Sequence, residues 1–253
     1  MASRHPLEVA VFSAKSALQA QQNGASRVEI NAPGSYPDGG LTPPISELAS
    51  LTDDLKIPMR VMIRPVGIEP GSGPDFMYSD DEFKAMRRAV REIKEAGVLN
   101  RSRGDGFVFG VLKESEEGLR VDSERCSELV RIVMPYPCVF HRAFDVLAAG
   151  PSHNKALDKL ISCGFQGLLT SGGVGSHDRH LHRLRELIEY ANGRLQIIVG
   201  GGVRAGNVGG AVEKLGEHAN TAWFHTACLA TGEDVPAESL DVTELGKILS
   251  HLR

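Results

Sequence analysis

Residue types able to move protons or hold charge recur at the ends of short apolar runs in this chain. Glu8 lies inside LEVAV, Glu29 and Asn31 are two apart in RVEIN, Arg64 closes MRVMIR, and FHRAFD carries His141, Arg142 and Asp145. Further on come Thr170, Ser171 and Gly172 in LLTSGG, Gly200, Gly201 and Gly202 in VGGGV, and His225 with Thr226 in WFHTA. A carboxylate enclosed in an apolar run costs several kcal/mol unless it is paired, so Glu8 and Glu29 call for cations. By type, Arg64 and Arg142 are the candidates. Such a network either holds a fold together or orients an acid, a base or an anion. His141, with an ordinary pKa of about 6.5, suits proton transfer at neutral pH; the plainer alternative is a histidine held as a structural donor. The glycine strings offer backbone N–H groups to an anionic oxygen at a helix start, or they merely permit tight turns.

Two other groups lend themselves less to chemistry. His177, His180 and His182 in HDRHLH approach metal-ligand spacing, but one imidazole points away on the helix and no cysteine is near, so a solvated surface is expected. The four cysteines, Cys126, Cys138, Cys163 and Cys228, are far apart and form no CxxC pair. They are expected to be free thiols in a cytoplasmic protein. A soft-metal site of two sulfurs would have to be assembled by the fold.

The elements that must position these residues repeat in one order. Eight β-branched or aromatic runs, at 7–11, 27–30, 59–64, 106–110, 138–144, 167–173, 195–202 and 221–225, alternate with helix candidates near 14–23, 43–55, 80–97, 122–133, 152–163, 178–191, 204–217 and 241–252. An open doubly wound sheet would place a Gly-rich turn after its first strand, whereas here that turn reads VFSAKSA. The expected fold is therefore α/β, a single (β/α)8 TIM barrel over residues 1–253, with chemistry gathered where strands end. The period of two puts His141 and Ala143 on one face of their strand and Arg142 and Phe144 on the other. The Gly- and Pro-rich stretch from Gly67 to Asp80 would overlie that end, either as a lid that brings Asp75, Phe76 or Tyr78 to a ligand or as a plain surface insertion. Residues 100–104 precede the fourth strand and should lie at the opposite end.

Composition narrows the partners. With 28 Lys and Arg against 32 Asp and Glu, the formal charge of -4 leaves no basic footprint for nucleic acid. No run approaches the roughly 18 apolar residues of a membrane span, and the N-terminal residues lack the apolar core of a signal peptide.

The strings LEVAVFS, GASRVEI, GGLTPP, VMIRP, FMYSDDEF, DGFVFGVL, FHRAFD, LLTSGG and VGGGV, in this order from about Leu7 to Cys228, resemble the CutC copper-homeostasis family. The resemblance implies a cytoplasmic TIM barrel, often a homo-oligomer, linked to copper tolerance or trafficking and proposed to bind Cu(I) through cysteines. It also implies that Glu8, Glu29, Arg64, His141, Arg142, Asp145 and His225 match the family's polar barrel mouth. This chain departs where family members often carry cysteine: Ala10, Asn31 and Thr226 stand there, with Cys228 two residues beyond the last. Amide oxygen and methyl groups are poor ligands for a soft ion.

Two functions follow. One is copper handling without turnover, with Cu(I) as the ligand and no metal-binding residue assigned. The other is an acid–base enzyme, a lyase or isomerase, on a small anionic or carbonyl metabolite, in which Glu8, Glu29, Arg64, His141, Arg142 and Asp145 act on the substrate. Asn31, Thr170, Ser171, Gly172, Gly200, Gly201, Gly202, His225 and Thr226 would then bind it.

Overall fold

Residues 5–68, 74–232 and 235–253 are described by a computed structural model. Their strands are β1 (Leu7–Val11), β2 (Arg27–Ile30), β3 (Met59–Met62), β4 (Gly106–Phe109), β5 (Leu112–Ser115), β6 (Gly118–Val121), β7 (Cys138–Phe140), β8 (Gly167–Thr170), β9 (Gln196–Val199) and β10 (Trp223–Thr226). The α-helices are α1 (Ala14–Gln22), α2 (Ile45–Ala49), α3 (Asp80–Glu95), α4 (Ser123–Val133), α5 (Asp145–Ala148), α6 (His153–Cys163), α7 (Leu181–Ala191), α8 (Ala205–Leu215) and α9 (Val242–His251). Eight strands close into a parallel barrel in the order β1-β10-β9-β8-β7-β4-β3-β2, while β5 and β6 form an antiparallel hairpin apart from it. The expected TIM barrel is the observed fold.

Local signals account for the elements. The barrel strands are short and apolar because helices cover their outer face and their neighbours fill the inner one. Ser79 opens α3 with a capping box: its hydroxyl accepts from the Glu82 N–H while the Glu82 carboxylate accepts from the Ser79 N–H. Phe83, Met86, Val90 and Ile93 give that helix one buried stripe. Among the described residues no helix is long and apolar enough to cross a membrane.

The large apolar core lies between barrel and helices, with Phe107, Phe109, Phe140 and Phe224 at its centre. Inside the barrel the filling is divided. Met62, Val108, Val139, Leu169 and Ile198, with Trp223 beside them, make an apolar wall supplied by β3, β4, β7, β8, β9 and β10. Beside it lie charged groups, among them Glu8 from β1, Arg27 and Glu29 from β2, Arg60 from β3 and His225 from β10.

The structure corrects several expectations. FHRAFD does not continue as a strand: β7 ends at Phe140, and residues 142–144 form a 3-10 turn because the His141 ring accepts the Ala143 N–H at 3.3 Å. His141 and Arg142 are thus turn residues rather than opposite faces of a strand. The runs at 167–173 and 195–202 stop as strands at Thr170 and Val199, and the helix near 43–55 shortens to α2. His177 is fully buried, its Nδ1 2.9 Å from the Gly201 carbonyl oxygen, so it does not belong to a solvated surface. The hairpin of β5 and β6 carries a charged sequence, KESEEGLR, which hid its period of two; its turn rests on Gly118 at φ +100°.

Candidate active site at the barrel mouth

The site grows from the register of three adjacent strands. Glu8 of β1 lies level with His225 of β10 and Arg27 of β2, and residues level across parallel strands point the same way. All three meet inside the barrel. Glu8 forms a very close ion pair with the Arg27 Nε, and the His225 Nδ1 stands 2.8 Å from its other oxygen. The Arg27 guanidinium also lies over the Trp223 ring at 4.1 Å. Arg27, rather than Arg64 or Arg142, therefore neutralises Glu8. Its position two residues before Glu29 was the signal in the sequence, because both then share the inner face.

Two residues nearer the C-terminal end of β2 stands Glu29, level with Ala10. The Asn31 amide donates to its Oε1 at 3.4 Å, whereas its Oε2 is buried and has no hydrogen-bond partner. Environment separates the two carboxyls. Burial alone would raise both; at Glu8 the charges of Arg27 and His225 outweigh it and hold the pKa down to about 2. At Glu29 burial wins, reinforced by the negative Glu8, and the pKa is raised. His225 is raised too, because its two carboxylates outweigh its own burial.

Across the mouth, His141 is buried with its Nε2 unpartnered. Since Nδ1 accepts the Ala143 N–H, the ring proton of the neutral form is on Nε2. Burial, with the nearby Arg64 charge second, pushes its pKa down to about 3. It is neutral at physiological pH. Phe76 stands between the two: its ring centre is 4.5 Å from that of His141 and 4.7 Å from the Arg64 guanidinium carbon. The Phe76 backbone takes φ +65°, a strained region for a bulky residue. Asp75 holds it there, accepting the Phe76 N–H at 2.8 Å and the Arg64 Nη2 at 3.1 and 3.2 Å. Of the Gly67 to Asp80 stretch, residues 69–73 lie outside the described residues; Tyr78 is buried in the large apolar core and does not line the cavity described below.

A cavity of about 190 Å³ opens at the C-terminal end of the barrel between these groups. Glu29, Asn31, Arg64, His141, Arg142, Gly201, Gly202, His225 and Thr226 line it, and so do Phe76 and Arg204. Glu8 lies beneath the wall. Asp145, Thr170, Ser171, Gly172 and Gly200 are not on it, and four of these five form one network: Asp145 accepts from Thr170 Oγ1, Ser171 N, Ser171 Oγ and Arg142 Nε, at 2.6 to 2.9 Å, and Gly172 N–H donates to Thr170 Oγ1. Their geometry fixes Arg142 at the rim. Arg204, which sequence reasoning passed over, donates to Thr226 Oγ1 at 3.1 Å and has no carboxylate partner among the described residues.

Glu8, Glu29 and His225 are also the one group of metal-type donors that converges among the described residues, their ligand atoms within 4.8 Å of one another. They do not suit Cu(I): two of the three donors are hard carboxylate oxygens, no thiolate joins the single imidazole, and Arg27 already compensates Glu8. The thiols do not serve either. All four cysteines are buried and none lines the cavity. Burial pushes the Cys138 and Cys228 thiols up to about 12, and the Cys228 Sγ donates to the Asp241 carbonyl. Ala10, Asn31 and Thr226, the three positions where the resemblance implies cysteine, all line the cavity.

The CutC family model matches residues 5–226. The chain belongs to the CutC family. Among curated relatives, a human copper homeostasis protein cutC homolog is 36% identical over 225 residues, covering 89% of this chain and 74% of that protein. A CutC family protein of Porphyromonas gingivalis is 36% identical over 221 residues, covering 87% and 79%. The crystal structure of a CutC from Streptococcus agalactiae superposes with a TM-score of 0.71 at 27% identity, covering 88% of this chain and 98% of that one. A phosphoribosylanthranilate isomerase of Pyrococcus furiosus, with a TM-score of 0.58 and 11% identity over 98% of both chains, shares the fold alone.

Proposed function

We propose that this CutC-family chain serves copper homeostasis, the role its curated relatives are named for, and that it does so by binding a small anionic or carbonyl compound at the barrel mouth. Family membership supports the first half. One observation carries the second: the cavity is walled by carboxyl, imidazole and guanidinium groups with unpartnered buried polar atoms, and by no thiol. Small hydroxy- and keto-acids are oxygen ligands that suit Cu(II) rather than Cu(I), so a protein that captures one alters how Cu(II) is complexed. The four free cysteines support a cytosolic location. Homo-oligomer formation is an expectation from the resemblance.

An anaerobic Cu(I) titration against a competing chelator, on the wild type and on Cys228→Ser, tests this reading together with ligand-observed NMR of pyruvate binding. The expected result is no competitive Cu(I) uptake by either protein and pyruvate binding that Arg64→Ala weakens at least tenfold. Tight Cu(I) binding that disappears in Cys228→Ser would overturn it in favour of a rearranged thiolate site.

A further inference from the structure

We infer that the mouth cavity is built to move a proton on the carbon beside a carbonyl group, with Glu29 as the base and the Nε2–H of His141 as the fixed donor to the carbonyl oxygen. This rests on the small-molecule reading above and adds the substrate class and the division of labour.

Three buried atoms lack partners on this wall, the Glu29 Oε2, the Asn31 Oδ1 and the His141 Nε2, and of these the Glu29 Oε2 and the His141 Nε2 are the two that can take or offer a proton. They come from β2 and from the turn after β7, three strands apart in a closed ring of eight, so they face one another across the mouth. Both residues are more than nine-tenths buried, and both line the cavity. A buried polar group left unmade costs about 1–3 kcal/mol. A ligand that supplies an acceptor to one and a proton to the other recovers that on both sides. The volume of about 190 Å³, at about 30 Å³ per water, holds roughly six waters. That suits a molecule of three carbons or slightly more.

The remaining wall decides the chemistry. Among the described residues that line the cavity there is no Lys, Cys or Ser, so neither a Schiff base nor a serine or cysteine acyl intermediate has a nucleophile. The Thr226 hydroxyl is engaged, donating to the Val203 carbonyl at 2.8 Å. Proton transfer is what these groups can do. The Glu29 carboxylate takes the proton from the carbon; the C–H electron pair forms the C=C bond, and the carbonyl π pair moves onto oxygen. That oxygen then bears the charge, facing the His141 Nε2–H with the Arg64 guanidinium beyond Phe76. Return of the proton to the same carbon restores the substrate; in a hydroxycarbonyl, the adjacent hydroxyl proton passes to the enolate oxygen, the new carbonyl forms at the former hydroxyl carbon, and Glu29 returns its proton to the former carbonyl carbon, which gives the isomer. No other reactant is required. A neutral imidazole donor suits this role because it polarises the oxygen without giving its proton away.

The test follows exchange of the carbon-bound hydrogen for deuterium by proton NMR, with the folded protein in D₂O buffer and pyruvate, dihydroxyacetone or glyceraldehyde as probes. Wild type should accelerate exchange of at least one probe above buffer and above heat-denatured protein. Glu29→Gln should abolish the acceleration, and His141→Gln should lower it about 10²-fold or more, while both retain the wild-type circular dichroism spectrum. A probe that binds by ligand-observed NMR but shows no enzyme-dependent exchange overturns this inference and leaves the binding reading standing. Failure of all three probes to bind removes both. Full exchange activity in His141→Gln refutes the assigned donor.

Discussion

Two buried charged clusters occupy opposite ends of this barrel. At the N-terminal end Asp105, fully buried just before β4, accepts from Met59 N and Arg103 Nε on one oxygen and from Asn100 N and Arg103 Nη2 on the other, at 2.7 to 3.0 Å. Arg103 in turn donates to the Leu55 carbonyl. At the C-terminal end Glu29 keeps one oxygen unpartnered and His141 one nitrogen. Residues 100–104, placed at the stability end by chain order, belong to the satisfied cluster. The difference shows what each end is for: a closed network specifies structure, and an incomplete one awaits atoms from outside.

Breaking the closed cluster should have the largest effect. Asp105→Ala leaves the Arg103 guanidinium buried without its carboxylate, and urea unfolding should show a loss of about 3–5 kcal/mol with pyruvate binding unchanged. Equal loss of ligand binding would show that the two ends are not independent.

Acid should act next, through the open cluster. His141 is held neutral in the fold, its pKa pushed from 6.5 to about 3, so the unfolded chain takes up a proton that the native chain refuses. Its contribution to stability is present above pH 6.5 and is lost as pH falls toward 3. At about 1.36 kcal/mol per unit, the loss between pH 6.5 and 4.5 is roughly 2–3 kcal/mol. Urea midpoints of wild type and His141→Gln should diverge accordingly, with the variant showing the flatter profile. Glu8, with its pKa lowered to about 2, adds a loss in the same direction below pH 4.5. Glu29, raised by burial, works oppositely, stabilising the fold at low pH.

The smallest effect on stability is expected at Glu29. Glu29→Gln removes a carboxyl whose Oε2 the fold does not use, and keeps a group that can still face Asn31. Unfolding free energy at neutral pH should change by less than about 1 kcal/mol, against the much larger loss at Asp105, although both residues are buried acids. A loss above about 3 kcal/mol would mean that Glu29 is structural.

The sequence made the barrel legible because eight apolar runs each precede an amphipathic helix, and parallel closure follows from that order. It also showed that Glu8 and Glu29 needed partners. It did not show which, because pairing inside a closed barrel depends on register: Glu8 meets Arg27 and His225 only once β1 sits between β2 and β10. His141 was misread as a strand residue because FHRAF carries strand-forming types; the turn arises from its own ring capping the Ala143 N–H. His177 lay hidden in a polar string, and its burial comes from the Gly201 carbonyl on the neighbouring loop. Phe76 was one of three possibilities in its loop, and only its φ and its place between Arg64 and His141 single it out.

Nitrogen-15 NMR of the His141 side chain decides whether the mouth is an incomplete polar site for an outside oxygen. At pH 5 the ring should be neutral with its proton on Nε2, and that proton should shift downfield when pyruvate is added. A doubly protonated ring at pH 5, or an Nε2–H signal indifferent to pyruvate while the ligand is shown to bind, would contradict it.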